Sequence, residues 1–166
     1  VRLDFVAAMR DHGTVEKPFA RGELWVAAQV LVLAGHLVLA LRFARPSLLA
    51  LSVAGAVVLT LGAGFLGVSM IQLGGNLTPN PRPLEGAHLV TTGVYSVVRH
   101  PIYLGLIVLC LGLTLVTQSV PSAVSEVLVL GFFHLKADRE ERWLRATYPE
   151  YATYADRVRK LIPWLF

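Results

Sequence analysis

The chain is predicted to be an all-α integral membrane protein of about four transmembrane helices, the last two a helical hairpin, followed by a cytoplasmic C-terminal helical region. Three observations predict this. Hydrophobic residues make up 55% of the 166 residues and charged residues only 16%, with a mean hydropathy of +0.60, more apolar surface than a soluble domain of this size can bury. The apolar residues gather into runs long enough to cross a bilayer. The polar residues collect between those runs and near the C-terminal end. No linker or internal repeat divides the sequence, so residues 1–166 are read as one domain.

Residues 1–23 mix charges with short apolar pieces, and Pro18 with the glycines interrupts any long helix. This segment is too polar to span and lacks a signal-peptide pattern; Leu3 to Met9 is expected to form a short interfacial helix. Residues 24–73 supply two spans. Leu24 to Leu41 has only Gln29 and His36 as polar members, and at about 1.5 Å per residue it nearly matches a bilayer core of roughly 30 Å. His36 is suspect as an ionisable intramembrane group, although a neutral ring hydrogen-bonded to a neighbouring helix is the preferred reading. Arg42, Arg45 and Pro46 make a turn. Ser47 to Leu73 carries no charge and exceeds a perpendicular span, so it should tilt, kink or project. Its GAGFLG stretch, Gly62 to Gly67, matches the dinucleotide fingerprint only formally, without the strand and βαβ unit that motif needs. Ser52, Ala56, Thr60 and Gly64 recur every four residues, and Ala63 and Gly67 repeat the spacing, predicting a face for close helix packing.

Residues 74–101 begin with GGNLTPNPRPLEG, whose three Pro, three Gly and two Asn predict a loop. There follows HLVTTGVYSVVRHPIYLG, His88 to Gly105. Pro101 suits the first turn of a helix, where a missing N–H costs nothing. Arg99 and His100 then lie just before that helix and Tyr103 on its first turn, and the free N–H groups with the positive dipole end favour an anionic group.

Residues 102–135 are a transmembrane hairpin: Ile102 to Gln118, the turn TQSVP, and Ser122 to Leu135. Glu126 lies near the start of the second arm, where a carboxylate suits a helix N-terminus. That arm is expected to continue through Ala146, leaving the bilayer near Lys136, with residues 136–166 forming the C-terminal helices. Asp138 with Arg142 and Glu141 with Arg145 have pairing spacing, which assigns Glu141 to a solvated face. Trp143, Tyr148, Tyr151, Tyr154 and Trp164 are read as interfacial belt aromatics.

With four spans, thirteen of the fifteen Lys and Arg residues share one side with both termini, and only Arg42 and Arg45 lie opposite. The positive-inside rule makes the richer side, with residues 74–101, cytoplasmic. The formal charge of +4 does not indicate nucleic acid, because the basic residues flank apolar runs and form no stripe with interleaved aromatics. Cys110, the single cysteine, excludes an internal disulfide and a zinc-type cysteine cluster, and is read as a small packing or lipid-facing residue. No metal is expected.

The segment His88 to Gly105, followed by EERWL (Glu140 to Leu144) and YPEYATYADRV (Tyr148 to Val158), resembles the isoprenylcysteine carboxyl methyltransferase family and its phospholipid-methyltransferase relatives. The resemblance runs from about Asn76 to Pro163. It implies an integral membrane enzyme that moves a methyl group from S-adenosyl-L-methionine, leaving S-adenosyl-L-homocysteine. It further implies that His88, Leu89, Val90, Tyr95, His100, Pro101, Ile102, Tyr103 and Glu140 surround that cofactor. Asn80 is a weaker candidate contact beside its reading as an Asn-Pro turn. Two departures from the family pattern stand out. His88 abuts Leu89, where relatives carry an intervening residue, so that Ala87 aligns with the family's His. Lys136, one turn before Glu140, stands where relatives often have Arg, and a point charge is not a bidentate fork.

Methyl transfer from a sulfonium is an in-line displacement, so positioning is the main requirement, a contribution of about 7–11 kcal/mol for well-oriented reactants. A carboxylate acceptor is already ionised at neutral pH and needs no general base. Arg99, Lys136 and Arg139 are the cations that could hold it. The acceptor is expected to be lipophilic and reached through the bilayer: a prenylated cysteine carboxylate or similar isoprenoid compound, with a phospholipid amine as alternative. A non-enzymatic small membrane protein or transporter subunit is the competing class. A transporter should show polar residues at mid-membrane in paired segments, and only His36 and Glu126 qualify.

Overall fold

The fold was taken from a computed structural model that describes residues 22–162. The expected interfacial helix at Leu3 to Met9, the four N-terminal basic residues and Trp164 lie outside the described residues. Among the described residues there are five α-helices, α1 Glu23–Arg42, α2 Leu49–Leu73, α3 Pro101–Thr117, α4 Val120–Thr147 and α5 Tyr151–Arg157, with 3-10 turns at Gly74–Asn76 and Gly93–Ser96. Three helices among the described residues are long and apolar enough to cross a membrane, Glu23–Arg42, Leu49–Asn76 and Val120–Thr147. The expectation of four spans meets a difference at α3, an apolar helix of 17 residues that extends only about 25 Å. The residues before Pro101 are held against the C-terminal segment: Arg99 N donates to Arg159 O at 2.8 Å and His100 N to Lys160 O at 3.1 Å.

The α3–α4 hairpin turns at Gln118, which adopts a left-handed conformation, and Ser119 caps α4 by accepting from Ser122 N. Gln118 also ties this tip to the start of α2. Its Oε1 accepts from Ser47 N and Leu48 N, both at 3.1 Å, and its Nε2 donates to Leu48 O at 2.9 Å. α4 then runs as one helix through its charged end, as expected. Its apolar, membrane-spanning part closes at Leu135, after which seven of the next twelve residues are charged.

α2 and α3 are the most intimately packed pair, and α1 lies against α4. The packing face of α2 is not the predicted four-residue stripe. Ala56, Thr60 and Gly64 are exposed, and nothing lies within 4 Å of a side chain at Gly64 or Gly67. The buried residues are Gly55, Gly62 and Ser69. A four-residue repeat rotates steadily around an α-helix, whereas a seven-residue repeat drifts only about 20° per step and stays on one face. Gly105 and Gly112 of α3 repeat that spacing, and a methyl group at Gly112 would stand 2.6 Å from Leu59 N. Both backbones therefore approach through glycine.

His36 is 2% exposed, with Nδ1 2.9 Å from Ser125 Oγ and Nε2 3.1 Å from the Cys110 carbonyl oxygen. It is bonded to neighbouring helices, as the preferred reading held. Cys110 is buried in the core with Ile107, Val129 and Phe133, so it packs and does not face lipid.

Candidate active site

A cavity of about 420 Å³ opens where the loop of residues 74–100 meets the start of α3 and the end of the apolar part of α4. His88, Leu89, Val90, Tyr95, His100, Pro101, Ile102, Tyr103 and Glu140 all line it, as do Asn80, Arg99 and Lys136. The local sequence explains how one short segment provides so much of the wall. Gly93, with φ of 61°, turns the chain back; a side chain there would strike Gln72 Oε1, which accepts from Val94 N at 2.8 Å. The following 3-10 turn buries Tyr95, whose hydroxyl donates to Ser69 O at 3.2 Å. Pro101 then starts α3 with His100 at its N-cap.

Glu140 and Glu141 divide the work of the EE pair. Tyr103 donates its hydroxyl to Glu140 Oε2 at 2.6 Å, and the His100 ring stacks on Tyr103 at a centroid distance of 5.4 Å. Glu141, about 100° further round the helix, reaches the other nitrogen of the same His100 ring, whose Nδ1 lies 3.6 Å from Glu140 Oε2. It is 7% exposed, and its Oε1 accepts from Arg99 Nε at 2.9 Å and from His100 Nε2 at 3.1 Å. The expected solvated face is therefore corrected: Glu141 is buried between Arg99 and His100. The expected pair with Arg145 gives way to Arg99, and Asp138 binds Lys160 from the C-terminal segment. Burial pushes the Glu141 carboxyl up, but the hydrogen bonds from His100 and Arg99 outweigh it and bring it down to about 2.

The three candidate cations separate. Arg99 is spent on Glu141 and on the carbonyls of Ala155 (2.8 Å) and Val158, a clamp joining the start of α3 to α4 and α5. Arg139 is not among the lining residues; its guanidinium lies over the Trp143 ring at 4.5 Å. Lys136 is 1% exposed, donates to Gln29 Oε1 and at 3.0 Å to Pro79 O, and sits 5.3 Å over the Tyr103 ring.

Other wall residues escaped the sequence reading. Tyr148, Tyr151 and Tyr154 line the cavity, which corrects their assignment to an interfacial belt. Tyr148 donates to Ala87 O at 2.9 Å and Tyr154 to Tyr95 O at 2.5 Å. The three-residue spacing of Tyr151 and Tyr154 puts that pair on one side of the short helix, with Tyr148 at the C-cap of α4 just before it; that was the available signal. Burial raises the Tyr95, Tyr151 and Tyr154 hydroxyls above their usual value, Tyr154 to about 12, so all three remain proton donors. Asn76 orients His88, accepting from its backbone N–H at 3.3 Å. Leu66, Met70 and Leu73 of α2 give the cavity an apolar side.

The profile of the PEMT family, Phospholipid methyltransferase, matches residues 50–151. The chain belongs to this family. Among its relatives, Protein-S-isoprenylcysteine O-methyltransferase B of Arabidopsis thaliana is 34% identical over 83 residues, 49% of this chain and 42% of that protein. The Cobalt-zinc-cadmium resistance protein CzcN of Cupriavidus metallidurans is 37% identical over 113 residues, 64% of this chain and 50% of that protein. The chain thus spans about half the length of the curated relatives it matches. The eukaryotic intramembrane Ras methyltransferase ICMT superposes with a TM-score of 0.64 at 25% identity, covering 69% of this chain and 43% of that one. The matched family region includes the whole of α3 and α4, and with them His100, Tyr103 and Glu140.

Proposed function

We propose that the protein transfers a methyl group from S-adenosyl-L-methionine to a lipophilic acceptor, a prenylated cysteine carboxylate or similar isoprenoid compound, at the cytoplasmic face of a membrane. The observation that carries this reading is a cavity with two chemistries: His100, Tyr103, Glu140 and the tyrosines on one side, Leu66, Met70 and Leu73 on the other. Its size suits a small molecule. Tyr151 supports the fit, since its buried hydroxyl lines the cavity without a hydrogen-bond partner among the described residues. When bound, the sulfonium cofactor supplies an activated methyl group. Glu140 would accept from the cofactor's ammonium or ribose, the N–H groups at the start of α3 would receive its carboxylate, and aromatic faces would hold the cation. Lys136 would hold the acceptor carboxylate in line, from a position where burial excludes competing water. Family membership and the likeness to ICMT support methyl transfer; the names of the metal-resistance relatives specify no acceptor.

Calorimetric titration of detergent-purified protein with S-adenosyl-L-methionine and S-adenosyl-L-homocysteine tests the reading. Micromolar binding is expected, weakened by about tenfold or more in His100→Ala and in Glu140→Ala. Absence of binding in folded wild-type protein would overturn it. Lys136→Met should leave cofactor affinity within about twofold while raising KM for a carboxylate acceptor by roughly tenfold, the scale of one lost charge-assisted hydrogen bond. Equal loss of cofactor binding in that variant would remove Lys136 from the acceptor side.

A further inference from the structure

Below the cavity, within the helix bundle, lies a second cluster that the methyl-transfer reading does not use. His36 of α1, Cys110 of α3 and Glu126 of α4 bring an imidazole nitrogen, a thiol sulfur and a carboxylate oxygen within 4.8 Å of one another. We propose that this trio binds a zinc-class divalent cation, one of the borderline metals that accept mixed nitrogen, sulfur and oxygen donors.

The first argument is the state of Glu126. The residue is 8% exposed, and neither carboxylate oxygen has a hydrogen-bond partner among the described residues; His36 Nε2 stands 3.9 Å from Oε2. A buried carboxylate without donors is strongly disfavoured, and protonation does not remove the difficulty, since the acid O–H would lack an acceptor. A cation does. Its charge also balances: a divalent ion with one thiolate and one carboxylate is neutral overall, the form a low-dielectric interior tolerates.

The second argument is the support around His36. Nδ1 lies 2.9 Å from Ser125 Oγ, which itself reaches Ser122 O at 2.8 Å. With the serine proton given to that carbonyl, Nδ1–H donates to Ser125; Nε2 lies 3.1 Å from the Cys110 carbonyl oxygen, so metal binding replaces that contact and takes the Nε2 lone pair. The Nδ1–H bond to Ser125 is the outer-shell arrangement that fixes the tautomer of ligating histidines. Thr114 Oγ1, 3.4 Å from Nε2, is an adjacent oxygen for a further position. The donor types favour zinc, cobalt or cadmium over magnesium or calcium, which take oxygen alone. On binding, the Cys110 thiol proton, and any proton on Glu126, leaves to solvent.

A lone cysteine in the sequence argued against such a site. The trio escapes because its members are separated by 74 and 16 positions and meet only when three helices pack. Those helices also carry cavity residues: Gln29 on α1, Leu106 one turn before Cys110 on α3, and Lys136 on α4. The cation would therefore cross-tie the floor beneath the cavity.

Co2+ is the probe. Chelator-stripped protein in detergent is titrated with Co2+ while its near-ultraviolet and visible absorption is followed, alongside its thermal midpoint. One equivalent should produce a thiolate-to-cobalt charge-transfer band, which Zn2+ then abolishes, and should raise the midpoint. Because the chain has a single cysteine, that band reports Cys110 alone. Cys110→Ser should remove it. Glu126→Gln and His36→Gln, checked for helicity, should each weaken binding by about tenfold or more, and His134→Ala, which removes the half-exposed His134–Asp138 pair, should leave it unchanged. A wild-type titration without the thiolate band, or a band indifferent to Glu126→Gln and His36→Gln, would overturn the proposal.

Discussion

Glu141→Gln is expected to lower the thermal stability of the detergent-solubilised protein by about 3–5 kcal/mol, the cost of leaving buried charge without its partner. The substitution keeps the side chain's volume and removes the anion that accepts from Arg99 at 2.9 Å and His100 at 3.1 Å. The site should fail with the fold, because His100 stacks on Tyr103 and Arg99 holds the carbonyls of Ala155 and Val158. Cofactor binding should therefore fall further than in Glu140→Ala. The pH dependence has a definite sign. A carboxyl held near 2 in the folded state, against roughly 4.3 when unfolded, contributes stability that is present above about pH 4 and lost as pH falls through about 2. The difference between wild type and Glu141→Gln should shrink over that window in thermal melts, and a difference constant from pH 5 to 2 would show that the pair does not operate as described. In a double-mutant cycle with Arg99→Met, the combined loss should be smaller than the sum of the single losses.

Gly112→Leu is expected to separate α2 from α3. A Cβ at Gly112 would meet Leu59 N at 2.6 Å, and one at Gly55 would meet Val116 N at 2.6 Å. Both obstacles are backbone, which cannot swing aside as a side chain can, so the cost should reach or exceed the roughly 1–3 kcal/mol of ordinary overpacking. The consequence extends to the site, since α2 supplies Leu66, Met70 and Leu73 to the cavity and Ser69 and Gln72 to the turn that positions Tyr95. Gly64→Leu is the control. It lies on the four-residue stripe, is exposed and has nothing within 4 Å, and its effect should stay within about 0.5 kcal/mol. Equal losses for the two leucines, read from thermal melts and cofactor titration, would mean that α2 packs through the other face.

The sequence by itself determined the elements. Continuous apolar runs placed α1, α2, α3 and α4 to within a few residues, Pro101 marked the start of α3, and the Gly, Pro and Asn of residues 74–86 marked the loop. Those signals are local: hydropathy over a bilayer's length, a missing N–H, a restricted φ. The motif carried by His88 to Gly105 and by Glu140 was legible for the same reason, its residues lying within two short stretches.

Tertiary structure decided which faces meet. In a helix that is apolar all round, lipid and protein interior are equally acceptable neighbours, so periodicity cannot tell a packing face from a lipid-facing one. Hence the small residues at Ala56, Thr60 and Gly64 pointed to the wrong side of α2, while Ser52 of the same stripe faces α3 and reaches the Val116 carbonyl oxygen. Polar residues were misjudged for a related reason. Glu141 pairs with Arg99 rather than Arg145, and Tyr148, Tyr151 and Tyr154 line the cavity, because α5 and the segment after it fold back along residues 98–100. The burial of a charged or aromatic side chain depends on what folds over it, and here the covering chain and the covered residue lie about 60 positions apart.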